Sequence, residues 1–363
     1  MVNIKLEGIT HIYNGKIKAV DNLNIEMPHG KFTAILGPSG CGKTTTLKII
    51  AGLLRPTFGK VYFDKEDVTA LPAEKRNIAM VFQFPIVYST MTVFDNLAFP
   101  LRLKKLSRNL ISNEVKMVAE FLKLQQYLHI KPVGLPADVK QKIALGRALI
   151  KGADILILDE PLTNIEPKAR VELREKILEI KRQKSLTIIY VTHDQSEALT
   201  LADLIAVMKD GKILQFDLPE NMYTHPKNTF VAWFLGNPGM NLFKGFLRRI
   251  EDKSYLELEG GLRIQLQIEL LKLIQEKYSN EEIIFGIRPE NVEVSYESIP
   301  ESIQGRILVV EDTGLLQIAT IKVGDIELKV KTSKILREEQ CVYIRFPSHF
   351  VKIFDKNGEL IYG

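Results

Sequence analysis

Cysteine is nearly absent: 363 residues carry only Cys41 and Cys341. Two residues so far apart form neither a disulfide framework nor a metal-type spacing, and they fit a reducing compartment. No apolar run approaches the roughly 18 residues that a membrane helix needs. The first residues, MVNIKLEGIT, place no apolar stretch after their charges, so no secretory signal is visible. No internal repeat and no Gly/Ser-rich or Pro-rich linker stands out. A large charge excess is missing too. The net charge of +5 is spread along the chain. That argues against a nucleic-acid partner, which would call for a basic stripe. Hydrophobic residues at 45% and charged ones at 26% exclude disorder for most of the chain. The length allows two or three domains at about 150 residues each.

What is present is an α/β pattern to about residue 235 and a mostly β pattern after it. Three early apolar runs, Phe32 to Leu36, Ile155 to Leu158 and Leu186 to Val191, lack strict alternation. They read as strands buried on both faces of a parallel sheet. Each ends directly in polar or glycine residues: GPSGCGKTT, DEP and THD. Open parallel sheets bind ligands at the carboxyl ends of their strands. Three separate segments thus bring functional groups to one edge. Val115, Val118, Phe121, Leu122 and Leu128 recur at helical spacing, which predicts a helical insertion over about 85–155. After Gly236-Asn237-Pro238-Gly239 the chain reads as short strands with turns. Examples are Arg263 to Gln267, Ile283 to Ile287, Ile318 to Val323 and Ile326 to Val330. Such strands over about 120 residues predict a small β-barrel-like domain.

Gly37-Pro38-Ser39-Gly40-Cys41-Gly42-Lys43-Thr44 fits G-x-x-x-x-G-K-[ST] completely, and Thr45 follows. Glycines let backbone N–H groups turn inward around phosphate oxygens. The helix that follows aims its N-terminal dipole at the same anion. Lys43 reaches the β- and γ-phosphates, and the Thr44 hydroxyl ligates Mg²⁺. Asp159 ends an apolar strand and is placed to support Mg²⁺, while Glu160 is placed to polarise an attacking water. His193 follows the third run, where a γ-phosphate contact outweighs a plain surface histidine. Gln83 follows Ile78 to Phe82. It is either a Mg²⁺ or water ligand or a bland strand-end polar residue. Tyr13, in a loop with Asn14-Gly15, either stacks on adenine or is a core aromatic.

These segments together resemble the nucleotide-binding subunit of an ABC transporter. The likeness runs through Tyr13, GPSGCGKTT, Phe82-Gln83, ILILDEP and VTHD. It extends to MTVFDNLAFPL, ADLIAVMKDGKILQ, HPKNTFVAWFLGNPGMN and GIRPENV. The last two blocks resemble the carbohydrate-importer, maltose-type branch with its C-terminal OB-like (TOBE) domain. The resemblance implies a RecA-like P-loop NTPase domain over 1–235 and a β-rich regulatory domain over 236–363. It implies ATP and Mg²⁺ as ligands and hydrolysis coupled to import of a sugar or polyol derivative. Gly37, Pro38, Ser39, Gly40, Cys41, Gly42, Lys43, Thr44 and Thr45 would bind the nucleotide, with Tyr13 on adenine. Thr44, Gln83 and Asp159 would serve Mg²⁺. Glu160 would activate water, His193 would sense the γ-phosphate, and Gln83 would link both to the membrane partner. Implied partners are a second ATPase subunit and two membrane permease subunits docking near Tyr88 to Phe94. A solute-binding protein would act indirectly. The site of action would be the cytoplasmic face of the cell membrane.

One departure stands against the family pattern. The LSGGQ signature, which binds γ-phosphate across the subunit pair, is replaced by Leu135-Pro136-Ala137-Asp138-Val139. Pro136 has neither a hydroxyl nor an N–H. Ala137 and Val139 lack side-chain donors, and Asp138 adds negative charge near an anionic ligand. The D-loop carries Glu166 where the family has Asp. The chain's own half-site is therefore expected to be intact and the half it lends to a partner impaired. That favours a heterodimer over a homodimer. The competing reading is a nucleotide-dependent regulatory or dimerisation subunit with little hydrolysis of its own.

Overall fold

The computed structural model describes residues 2–183, 186–250, 253–259, 261–266 and 282–363. The described chain divides into two compact units, Met1–Pro219 and Glu220–Gly363.

In the first unit the elements run β1 (Ile4–Tyr13), β2 (Ile17–Met27), β3 (Phe32–Leu36), α1 (Lys43–Ile50), β4 (Phe58–Phe63), β5 (Glu66–Asp67) and β6 (Ile78–Val81). There follow α2 (Val93–Leu103), α3 (Arg108–Phe121), α4 (Ala137–Lys151), β7 (Ile155–Asp159), α5 (Pro167–Gln183) and β8 (Thr187–Thr192). The last are α6 (Gln195–Leu201), β9 (Leu204–Lys209) and β10 (Lys212–Asp217). A six-stranded sheet has the order β10-β9-β3-β8-β7-β6. It is parallel except for β10. Every residue of β3, β7 and β8 is buried, which is why these runs are mainly apolar without strict alternation. β8 begins one residue later than the run at Leu186 suggested.

Register sets the working edge. Leu36 pairs with Thr192, and Asp159 pairs with Val191. The residues that follow, Gly37, Glu160 and His193, thus leave the sheet at the same level. A second, antiparallel sheet, β2-β1-β4-β5, shares one core with the parallel sheet and α1. Leu47, Ile49 and Ile50 of α1 are fully buried in it. Each such side chain stabilises by about 1.5–3 kcal/mol, which anchors the helix behind the phosphate loop. Tyr13 is the last residue of β1, not a loop residue; the turn comes at 14–16.

The helical insertion is α2, α3 and α4. Thr92 and Ser107 cap α2 and α3 by accepting from Asp95 N and Leu110 N. α3 stops at Phe121, and Leu128 lies beyond a 3-10 turn at Gln125–Tyr127, so the apolar spacing spans two elements. A Cβ on Gly146 would stand 2.7 Å from Leu97 Cδ2 and 3.0 Å from Leu122 Cδ1. Glycine there lets α4 approach its neighbours closely.

The second unit contains α7 (Pro219–Thr224, its first residue at the division) and α8 (Thr229–Phe234), then only strands and short 3-10 turns among the described residues. The strands are β11 (Asn241–Ile250), β12 (Lys253–Leu258), β13 (Arg263–Leu266), β14 (Glu282–Ile287), β15 (Glu293–Ser295) and β16 (Ile303–Asp312). Then come β17 (Gln317–Val323), β18 (Ile326–Thr332), β19 (Cys341–Arg345), β20 (Lys352–Asp355) and β21 (Leu360–Tyr362). Gln267, placed at the end of a strand by the sequence pattern, lies outside the described residues. Two sheets, β13-β12-β11-β14-β20-β21 and β15-β19-β16-β17-β18, enclose a common core. Leu256, Phe285 and Ile353 face Ile307, Ile321 and Ile344 within it. The compact division lies upstream of the 235/236 boundary read from the sequence. Arg288 of the GIRPENV segment explains why. It is 3% exposed and donates to the carbonyls of Tyr223, Ala232 and Leu235, tying α7 and α8 to the strands.

Candidate functional site

The phosphate loop connects β3 to α1, and Gly42 is the N-cap of that helix at φ 104°. A Cβ there would lie 2.2 Å from the Ala19 carbonyl oxygen, so only glycine fits. Ser39 and Gly40 form the open mouth of the loop. The Cys41 side chain instead faces the core, and burial pushes its thiol up. Lys43 is 5% exposed and folds back over the loop. Its Nζ donates to Gly37 O at 2.8 Å and to Pro38 O at 3.0 Å. An ammonium has three donors, so one remains. Among the described residues no carboxylate pairs with this buried cation. A buried charge without a counter-ion is costly, and an anionic phosphate ligand fits that need.

Thr44 Oγ1 donates to Asp159 Oδ1 at 3.3 Å. Asp159 is 5% exposed. Burial pushes its carboxyl up, the Thr44 bond opposes this, and the adjacent Glu160 charge adds to the rise. A strained anion beside a hydroxyl suits a hard divalent cation, which takes oxygen ligands. Thr44, Asp159 and the Gln83 carbonyl oxygen are the atoms that would hold Mg²⁺.

Glu160 has φ +44°, a left-handed backbone unusual for a non-glycine residue. Its N–H donates to Val191 O at 2.9 Å, hooking the turn to β8. Three side chains meet its Oε2: His193 Nδ1 at 3.0 Å, Thr163 Oγ1 at 3.2 Å and Gln83 Nε2 at 3.3 Å. Glu160, His193 and Gln83 were each singled out from the sequence. Thr163 was read only as part of the D-loop. Its signal was available, because a Glu-Pro-x-Thr run is turn-forming and brings a hydroxyl back to its first residue. Tyr13 stands against the start of α1, with its hydroxyl 3.3 Å from Thr45 Oγ1 and its ring edge-on to His11.

The loop at 135–139 is separate from this cluster in its elements. Pro136 is the N-cap of α4 and makes no side-chain cap bond. Pro136 and Ala137 are exposed, Asp138 lies in the first turn, and Val139 is buried. Further along α4, Gln141 Nε2 donates to Phe82 O at 3.4 Å and Arg147 donates to Ile86 O at 2.5 Å. The Arg147 guanidinium also lies over the Tyr88 ring at 4.7 Å. Neither anchor was anticipated, since both act on carbonyls some 60 residues upstream.

A phosphate cradle at the end of β3 and a buttressed carboxylate at the end of β7, two strands away, make the first unit a P-loop nucleotide hydrolase. Comparison narrows that class. Residues 20–163 match the family model described as ABC transporter, and residues 236–292 match the MalK OB fold domain. The chain is 39% identical to the oligosaccharides import ATP-binding protein MsmX of Bacillus subtilis, covering 94% of this chain and 88% of that protein. It is 37% identical to the trehalose/maltose import ATP-binding protein MalK of Thermococcus litoralis, covering 100% of both. A dimeric ATP-binding cassette in a post-hydrolysis state with ADP and Pi superposes at TM-score 0.55 and 27% identity, covering 60% of this chain and 98% of that one. The chain belongs to the ATP-binding proteins of ABC transporters, which are ATPases.

Proposed function

We propose that this chain is an ATP-hydrolysing subunit of a sugar importer and that it pairs with a second, different ATPase subunit. The observation that carries this is the contrast between two places. Lys43, Asp159 and Glu160 are assembled with hydrogen-bonded partners, whereas α4 opens on Pro136 with no hydroxyl to offer.

ATP would lie with its phosphates over 37–45 and its adenine toward Tyr13. Lys43 holds the β- and γ-phosphates with the donor left free by the loop. Mg²⁺ at Thr44, Asp159 and Gln83 would neutralise phosphate charge. Glu160 takes a proton from the attacking water through the oxygen that its neighbours leave open. His193 uses one nitrogen on Glu160, and its other nitrogen is the one for the γ-phosphate. The partner subunit closes this site with a regular signature loop. In the opposite site the clamp would come from 135–139, so ATP there binds but turns over poorly.

The substrate class rests on relatives named for oligosaccharides and for trehalose and maltose. Among the described residues no helix is long and apolar enough to cross a membrane, so transport needs separate permease subunits. A cleft of about 430 Å³ beside α2 and α4, lined by Met80, Tyr88, Phe99, Leu103 and Arg147, suits helices of those subunits. Phe84 and Ile86, 71% and 50% exposed, offer further apolar surface on the segment between β6 and α2. Such docking puts the chain at the cytoplasmic face of the membrane, with a solute-binding protein acting on the far side.

Two measurements test this reading. Purified chain should show weak ATPase activity that rises when the partner subunit is added. In the assembled complex, Glu160→Gln should abolish most hydrolysis. Retained hydrolysis in that variant would favour the regulatory reading, which the degraded loop alone also suits. Brisk turnover by this chain paired with itself would defeat the heteromeric reading.

A further inference from the structure

The hydroxyl of Thr163 has no role in the mechanism above, yet it touches the group that does the chemistry. Residues 160–163 form a turn that opens on Glu160 at φ +44° and continues through Pro161. Thr163 N donates back to Glu160 O at 3.4 Å, and Thr163 Oγ1 donates to Glu160 Oε2 at 3.2 Å. The other two contacts to Oε2 come from elsewhere, Gln83 after β6 and His193 after β8. Thr163 is the one group on the glutamate's own turn that meets its carboxylate.

All three contacts fall on the same oxygen. A carboxylate oxygen has about two lone-pair sites, so Oε2 is crowded and Oε1 is the atom left for a further proton. A glutamate side chain turns freely about its last bond. Only contacts fix which oxygen faces the phosphate. Gln83 and His193 both have other duties in the hydrolysis reading, toward Mg²⁺ and the γ-phosphate. Once they engage ATP, Thr163 is the contact with no competing ligand. Its β-branched side chain is also stiff at χ1. Leu162 O accepts from Arg170 Nε at 3.2 Å, which braces the same turn against α5.

We propose that Thr163 is a positioning residue: its hydroxyl holds Glu160 Oε2 and so presents Oε1 to the attacking water. The inference rests on Glu160 being the base. In this role Thr163 acts through Glu160, not on the nucleotide or the water itself. It also lies at the head of the D-loop, two residues before the buried Ile165.

The experiment uses the full transporter complex, with the partner ATPase subunit and permeases present. Thr163→Val keeps the shape and removes the donor. Expected is a fall in kcat of about tenfold with KM for ATP unchanged within about twofold, since ground-state binding is not touched. Thr163→Ser keeps the donor and should recover most of kcat. A fluorescent ATP analogue, bound with equal affinity by wild type and both variants, shows that the fold is retained. Glu160→Gln is measured alongside. If that variant keeps its activity, the reading of Glu160 as base fails. If Glu160→Gln is inactive but Thr163→Val turns over like wild type, or if Thr163→Ser is as impaired as Thr163→Val, the positioning role is overturned. A rise in KM that matches the loss of kcat/KM would overturn it too, because it would place Thr163 in nucleotide binding.

Discussion

Restoring a phosphate clamp at the start of α4 should switch on hydrolysis by this chain paired with itself. The variant is Pro136→Ser with Ala137→Gly and Asp138→Gly. Val139 is left alone, because it is 5% exposed and a glutamine amide there would need new partners. Loss of one oxyanion-type donor typically lowers a rate by about 10²–10³. The variant regains a hydroxyl donor and removes a carboxylate from the first turn, so turnover should rise by at least about 10². Stability should fall only modestly, by about 1–2 kcal/mol. Pro136 already has extended N-cap angles, φ −55° and ψ 156°, which serine adopts readily. A serine N-cap adds about 1 kcal/mol. Removing Asp138 from the positive end of the helix loses about 0.3–1 kcal/mol, and glycine lowers helix propensity by about 1 kcal/mol per residue. These terms leave a net loss of about 1–2 kcal/mol, and a loss of stability does not raise turnover, so an increase in rate is not a folding effect. Phosphate release is measured at saturating ATP on the purified chain, with its melting temperature as control. Unchanged turnover, with ATP affinity preserved and the melting temperature still above the assay temperature, would refute the assignment of 135–139 as the defective clamp.

Further outcomes can be checked separately. Gly42→Ala places a methyl against the Ala19 carbonyl at φ 104°, so ATP affinity should drop tenfold or more while the circular dichroism of the sheets persists. Glu172 takes charge-assisted bonds from Lys123 at 2.9 Å and from the buried Lys142 at 3.2 Å. The Lys123 bond, then Lys142, holds its carboxyl below the ordinary 4.5 against a partial opposing effect of burial. Because the folded-state value is depressed, the stabilisation is complete above 4.5 and disappears as pH falls through the lowered value. Glu172→Gln should therefore melt below wild type at neutral pH, with the gap closing in acid; a gap constant across pH would rule out the ion pair as its source. Arg288→Met leaves the carbonyls of Tyr223, Ala232 and Leu235 without their donor. Chemical unfolding should show a loss of about 3 kcal/mol in the C-terminal unit.

Much of this architecture could be read before any coordinates. The runs at Phe32, Ile155 and Leu186 became strands because positions buried on both faces are filled mainly by apolar residues. Their polar ends fell at one edge because parallel register lines up strand termini. What escaped the reading is non-local or conformational. Tyr13 was taken for a loop residue because Asn14-Gly15 signals a turn, yet β1 runs through it. Arg288 stood in a recognised block, but its bonds reach carbonyls more than 50 residues back, and no local pattern reports that. Thr163 was in view throughout. Its contact with Glu160 depends on a left-handed residue at the head of the turn, and sequence patterns assign that conformation mainly to glycine and asparagine.

The separation of elements explains how one half of the machinery could decay while the other stayed whole. Lys43, Asp159, Glu160 and His193 all hang from the carboxyl edge of the parallel sheet; Lys43 is held by the phosphate loop, Asp159 by Thr44, and Glu160 by His193 and the backbone of β8. Residues 135–139 begin a helix of the insertion and share none of those bonds. One link between the two is Gln141, whose amide reaches the Phe82 carbonyl beside Gln83. That link lies on α4 itself, past the altered residues, and it survives their replacement. On the proposed heteromeric reading, the residues at 136–139 weaken what the chain lends to a neighbour without disturbing what it keeps. Selection acting on a heteromeric pair would tolerate this loss, because the partner's clamp still completes the site at Glu160. A chain obliged to pair with itself would lose both sites at once.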